Sequence, residues 1–501
     1  MRNDDDEIDA TLILAAEECP PDKFSSVHHF SEHDNVILRK LIAHGPVLIR
    51  GGRGAGKSAL LIEAHRRMRE MPQLLGVYVS LRYLPLLKSD GEEYVAHFCN
   101  WLSRAVIDAI TESGLDFQFQ TARNQTQLID EIARLGRTID RRIVLLFDDA
   151  AHIGREAPLT IFFDLFRTLS TSLVSCKASI YPGVTRFGVR FDVYNDSTVV
   201  DVSRSQVGQV SDQFFFSVIQ ARYPKLTSPD QFSERISPLE FASLVGRAVV
   251  GNMRAFVYAC TRFNEKDKIG LPDIVECLLD MSSNYYWPLM EEVAPKLGIY
   301  EPMIQPSQEV AEALVENAIR PVRLGTRTTA QDRVIVHRSL VQQLAKPFEI
   351  LEYLGFVAKR EASRALKSGG RGSVYALNLC NLLEKIPGRR ITLENVGEWT
   401  RGEPDPSEIH SSGSTLTEIK MPAIAEGQDL SILNREISVL AQSRAYPYGL
   451  TQNKISRLTE AGLAIVGELA AASDEDLLDL DTIGPVALAR IRNVVNQAIW
   501  M

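Results

Sequence analysis

Residues 51–58 read Gly-Gly-Arg-Gly-Ala-Gly-Lys-Ser, directly behind the apolar run Pro46-Val47-Leu48-Ile49 and ahead of an amphipathic stretch from Ala59 to Met68. A strand, a glycine-rich turn and a helix in that order wrap consecutive backbone N–H groups around an anion, and the helix adds the positive end of its dipole. Gly51, Gly52, Gly54 and Gly56 permit the turn, while Arg53, Ala55 and Ala59 complete the cradle. Lys57 is spaced to reach the β- and γ-oxygens of a nucleotide, and the Ser58 hydroxyl is suited to Mg²⁺.

A loop of this kind needs a parallel sheet around it, and the flanking sequence supplies one. Ser31 to Ile42 has helical spacing behind a Ser N-cap with acids in its first turn. Leu74 to Ser80 reads as a buried strand and Tyr94 to Ile110 as a helix, an alternation that builds parallel sheets. Arg142 to Asp149 is an apolar strand ending in two carboxylates. Such a strand delivers Asp148 to the carboxyl edge of the sheet beside the glycine loop, where it can hold a Mg²⁺ shell, and places Asp149 to orient an attacking water. Ala178 to Pro182 leads to Thr185, a candidate sensor of the terminal phosphate, and Thr198 to Val202 is the last strand. From about 206 the pattern turns helical, and Gly251-Asn252-Met253-Arg254 starts a helix whose Arg254 is placed to reach back to the nucleotide.

The whole chain sets limits on these readings. Its 501 residues allow three or four domains, and 45% hydrophobic with 24% charged residues is ordinary for a globular protein. No apolar stretch is long enough to span a bilayer, and the acidic start Met1 to Glu7 is unlike a secretory signal, so a cytoplasmic location is expected. Six dispersed cysteines form no C-x-x-C pair and read as buried thiols. A formal charge of −9 excludes a globally basic nucleic-acid binder, yet residues 320–371 carry 11 Lys/Arg against 4 Asp/Glu. That local excess is a footprint for phosphates.

The order of glycine loop, Asp148-Asp149 strand, Thr185 and Gly-Asn-x-Arg resembles the AAA+ ATPases, within them the origin-recognition and initiator type, over residues 30 to 385. The resemblance implies an α/β fold: a P-loop NTPase αβα parallel sheet with an α-helical lid, then a winged-helix domain. On that frame residues 1–29 are a lead-in, 30–205 the nucleotide domain, 206–290 the lid and 291–390 the winged helix. Residues 391–445 read as a linker, rich in Pro, Ser, Gly and acids beyond Gly402. Residues 446–501 resemble helix-hairpin-helix domains, as in the C-terminal domain of the RNA polymerase α subunit, with Gly484 at a turn. This module holds 4 Lys/Arg against 7 Asp/Glu, which leaves DNA contact and protein contact both open.

The resemblance also implies ATP and Mg²⁺ as ligands, slow hydrolysis to ADP and phosphate, and ATP-dependent homo-oligomers in which an arginine reaches a neighbour's site. Arg155, Arg186 and Arg190 are candidates for that arginine. Duplex DNA is the expected partner of the wing, through Lys359, Arg360, Arg364, Lys367 and Arg371. One departure stands out: initiators carry Asp-Glu where this chain has Asp148-Asp149, a pair more like the STAND signalling ATPases. Two alternatives therefore stay open: a STAND-like sensor that oligomerises and signals to an effector protein, for instance in anti-phage defence, or an AAA+ regulator of transposition.

Overall fold

The computed structural model describes residues 15–81, 91–151, 156–183, 187, 190–202, 209–402, 405–412, 415–423, 431–442, 449–480 and 483–500. Strands β1 (Val47–Arg50), β2 (Leu74–Ser80), β3 (Arg142–Ala151), β4 (Val174–Ile180) and β5 (Thr198–Asp201) form one sheet in the order β2-β3-β4-β1-β5. Every pairing is parallel. Parallel neighbours need crossover connections, which the intervening helices supply, and helices on both faces explain why all seven residues of β4 are buried. Alternation along β3 divides its side chains between the two layers. Val144 and Leu146 pack with Leu38, Leu41, Leu60 and Leu61 of the helices Glu32–Ile42 and Lys57–Met68. Leu145 and Phe147 face Phe98, Leu102, Phe162 and Phe166 of the helices Gly91–Glu112 and Glu156–Leu169. The Glu32–Ile42 helix starts on the expected Ser31, whose hydroxyl accepts the Asp34 N–H at 3.2 Å while the Asp34 carboxylate accepts the Ser31 N–H at 2.9 Å.

Helices Gln209–Arg222, Pro238–Ala248, Met253–Asn264 and Leu271–Met281 follow, then the long helix Ile304–Arg323 and a second sheet. Its strands β6 (Arg333–His337), β7 (Val357–Ala365), β8 (Arg371–Leu377) and β9 (Ser407–Ile409) run in the order β7-β8-β6-β9. The antiparallel hairpin of β7 and β8 occupies the expected wing positions. Helices and second sheet share one core, in which Phe256, Leu278, Leu314, Leu351 and Tyr375 are buried together.

The expected linker over 391–445 needs correction. Residues Leu393–Arg401 form a helix whose Trp399 is fully buried, with its Nε1 donating to the Ala330 carbonyl at 2.9 Å. Strand β9 then pairs in parallel with β6, and Leu416 joins the same core. Pro, Ser and acidic residues dominate this stretch, so the few apolar anchors that fold it back do not stand out in its composition. The C-terminal helices Gln452–Glu460, Val466–Ala471, Asp474–Leu478 and Pro485–Trp500 form a compact group. Its core also takes in Ile432, Ile437 and Leu440, which lie before the expected start at 446. All six cysteines are buried and free. Among the described residues no helix is long and apolar enough to cross a membrane.

Lys177 is an unusual occupant of β4. Its side chain has no solvent contact, and its ammonium donates to the carbonyls of Ala43 at 2.7 Å and Lys40 at 3.3 Å, at the end of the Glu32–Ile42 helix. Burial first, then the nearby Arg142, pull its pKa down to about 7. A lysine whose folded pKa lies below its unfolded value costs most when both states are charged. Stability should therefore rise as pH climbs from about 7 toward the unfolded lysine value near 10.4. Urea unfolding of the parent and Lys177→Met at pH 7 and pH 9.5 checks this: the parent should gain stability relative to the variant at the higher pH. Equal pH dependence in the two would contradict it.

Candidate functional site

The glycine loop follows β1 and ends at Gly56, whose φ of 92° and that of Gly54 at 75° lie in the left-handed region open to glycine. Lys57 begins the helix and is 5% exposed. Its ammonium donates to the carbonyls of Gly51 at 2.8 Å and Gly52 at 3.1 Å, and stands 3.6 Å from the centroid of the Tyr181 ring. Burial draws the Lys57 pKa down to about 8 against the opposing pull of Asp149 and Asp148.

Asp148 lies in the carboxyl-terminal half of β3, completely buried. One carboxylate oxygen accepts from the Ser179 hydroxyl at 2.7 Å and from the Asp149 N–H at 2.9 Å, and the other accepts from the Tyr78 hydroxyl at 2.9 Å. Ser58 lies close enough to favour the charged form of the same carboxylate. Desolvation raises the Asp148 pKa, as does the charge of Glu17, and Ser179, Ser58 and Tyr78 oppose that rise. In a regular strand Asp148 and Asp149 would point to opposite faces. Here the β3–β4 register breaks after Phe147 and Asp149 adopts a φ of 50°, an irregularity that brings both carboxylates to one side. The oxygens of Asp148, Asp149 and Glu17 lie within 4.8 Å of one another. Ser58 and Asp148 thus present adjacent hard oxygen donors, which suits the Mg²⁺ of a nucleotide complex.

Two distant segments close over the loop. Asn252 caps the Met253–Asn264 helix, accepting the N–H groups of Arg254 at 3.1 Å and Ala255 at 3.2 Å, and the Met253 N–H donates to the Gly54 carbonyl at 2.9 Å. A Cβ on Gly54 would sit 2.0 Å from the Asn252 Oδ1. Arg254 comes near enough for its charge to depress the Lys57 pKa. From the other segment the Tyr353 carbonyl accepts the Arg53 N–H at 2.9 Å, and a Cβ on Gly52 would lie 2.5 Å from the Glu352 carbonyl oxygen. The Tyr353 and Tyr181 rings meet edge to face at 5.0 Å, and the Lys346 ammonium donates to the Gly183 carbonyl at 3.0 Å. Between loop, lid turn and β7 lies a cavity of about 220 Å³ lined by Gly51, Gly52, Arg53, Asn252 and Lys359 among others. Glu352, in its wall, is desolvated and its carboxyl is pushed up to about 7.

The structure thus brings Gly51 to Ser58, Asp148, Asp149 and Arg254 together. Thr185, Arg155 and Arg186 lie outside the described residues; Arg190 is exposed, with its N–H on the Asp164 carboxylate at 3.1 Å. The five wing cations do not act as one surface. Lys359 and Arg360 line the cavity at the loop, and an Arg360 guanidinium nitrogen faces the Val250 carbonyl at 3.5 Å. Lys359 is exposed at the rim of that cavity and Arg360 is partly buried beside it. Arg364 pairs with Glu361, Lys367 with Asp405 at 2.6 Å, and Arg371 donates to the Ser363 hydroxyl at 2.7 Å. Tyr78, Ser179, Tyr181 and Glu17 were not singled out in the sequence. For Ser179 and Tyr181 the available signal was position, at the end of the strand beside β3; for Glu17 there was none.

No family model matches the sequence, and no curated protein matches it. Among solved structures the fold is similar to the Aeropyrum pernix ORC1 protein in complex with DNA, at 13% identity and a TM-score of 0.32 over 75% of this chain and 96% of that one. It is similar to Cdc6p from Pyrobaculum aerophilum, at 12% identity and a TM-score of 0.33 over 77% and 99%. A STAND protein with a tetratricopeptide repeat sensor from Pyrococcus horikoshii aligns at 11% identity and a TM-score of 0.27 over 71% of this chain and 43% of that one. At such scores the likeness carries no functional weight, and the sheet order and loop geometry described above stand by themselves.

The hydroxyl of Tyr78 is the simplest test of how Asp148 is held. Tyr78→Phe removes one hydrogen bond to a buried carboxylate at nearly constant volume and should destabilise the protein by about 1.5–3 kcal/mol. Urea unfolding at pH 7 measures it, and an unchanged midpoint would show that the hydroxyl does not hold the carboxylate.

Proposed function

We propose that the chain is an AAA+ type switch that binds and hydrolyses ATP and associates with DNA. The observation that supports it most is the convergence of Lys57, Ser58 and the Asp148-Asp149 pair at the carboxyl edge of a parallel sheet. In this reading the loop amides and Lys57 would hold the phosphates, and Ser58 with Asp148 would hold Mg²⁺, which would supply neutralisation of phosphate charge. Asp149 orients the attacking water and Arg254 brings positive charge from the lid. Lys57→Ala should abolish ATP binding in titration calorimetry. Asp149→Ala should leave binding within about twofold while slowing phosphate release by at least about tenfold. Unchanged turnover in Asp149→Ala removes that residue from the reaction.

Double-stranded DNA is the proposed partner of the hairpin tip, where Lys367 and Arg371 are exposed and Gly369 and Gly370 have φ of 100° and 81°. Replacing Arg364, Lys367 and Arg371 by Ala should weaken duplex binding and lower the slope of log affinity against log salt by about one per lost phosphate contact. The same affinity and slope in the triple variant would move any DNA contact to the C-terminal helices.

A second reading draws on the bond from Arg53 to Tyr353. A winged helix clamped on the glycine loop suits a STAND-like sensor that is released by ATP, assembles and signals to an effector. ATP-dependent assembly in sizing experiments without DNA, and no salt-dependent duplex binding, would favour it over the first.

A further inference from the structure

The lead-in segment does more than precede the first helix. Ala16, Cys19, Phe24 and Val27 pack on Ala59 and Ile62 of the helix that begins at Lys57, and the Arg222 guanidinium, on the first lid helix, donates to the Val27 carbonyl at 2.9 Å. The segment is therefore a strap between the nucleotide helix and the lid. Its short turn Ala16–Glu18 carries Glu17 to the corner of the site, where its carboxylate lies within 4.8 Å of those of Asp148 and Asp149 and its charge acts on Lys57.

We propose that Glu17 sets the nucleotide preference of this site in favour of the diphosphate. The inference rests on the nucleotide reading above. A diphosphate is satisfied by the loop amides and Lys57, whereas the third phosphate of a triphosphate extends toward the carboxylate corner. Two acids at that corner are matched by Lys57 and Arg254. Glu17 adds a third carboxylate to that corner, against Lys57, Arg254 and the Mg²⁺ that Ser58 and Asp148 would hold, so the terminal phosphate meets one more negative charge than the two acids alone present, and like charges a few ångströms apart in a poorly hydrated site repel strongly. ATP must therefore displace the strap, and ADP need not. Because the strap is also tied to the lid through Arg222, the displacement passes to the lid in the same step.

The test is the ratio of affinities for ADP and a non-hydrolysable ATP analogue on the full chain, with and without Mg²⁺. Glu17→Gln should tighten the analogue by about tenfold and change ADP by less than about twofold, while Glu17→Asp, which keeps the charge, should retain the parent's ratio. Two outcomes overturn the proposal: an unchanged ratio in Glu17→Gln, whether neither nucleotide or both tighten, or weaker binding of the analogue in Mg²⁺, which would make Glu17 a holder of the metal. If the parent binds neither nucleotide, the reading of the glycine loop fails and this inference falls with it. If the parent binds both and the ratio stays put, only the role of Glu17 is lost.

Discussion

At Gly52 and Gly54 the phosphate loop has no side chains, and two remote parts of the molecule use the space. The Tyr353 carbonyl reaches the Arg53 N–H, and Asn252 lies against Gly54, where a methyl group would find its Oδ1 at 2.0 Å. Such approaches are open only to bare backbone. The glycine loop is thus also the surface on which the turn before the Met253–Asn264 helix and the Ala345–Leu354 helix settle, so a ligand there and the position of both segments are one problem. Tyr181 extends the connection, with its ring under the Lys57 ammonium and its edge against Tyr353.

The charges make the arrangement tense. Lys57 is buried with its pKa lowered to about 8, and Asp148 is buried with its pKa raised, each by loss of water more than by any neighbour. Hydrogen bonds from Tyr78, Ser179 and the Asp149 N–H make the buried carboxylate tolerable. Glu352 in the cavity wall is desolvated as well. A site of this kind gains from a ligand that brings its own counter-charges, and its closed form stays together through backbone contacts and aromatic packing.

Much of the nucleotide domain was legible because its signals are local. The loop, the apolar β3 ending in Asp148-Asp149 and the capped helix after Ser31 each declare themselves within about ten residues. What stayed hidden depends on long-range contact. Glu17 carries no motif, and only the packing of Phe24 and Val27 on the nucleotide helix brings it to the site. Lys359 and Arg360 read as wing cations from charge, and only the tertiary structure shows that both also border the cavity beside the loop. The stretch after residue 390 is polar on average, and a few buried residues, Val396, Trp399, Ile409 and Leu416 among them, decide its fate.

Hydrogen exchange of the full chain with and without ADP measures most directly whether the glycine loop and the two segments packed on it act as one unit. ADP should change exchange at residues 51–58, 250–255 and 345–360 together, since all three meet at the glycine loop. Protection confined to residues 51–58, with the lid turn and the 345–360 segment exchanging as before, would contradict it.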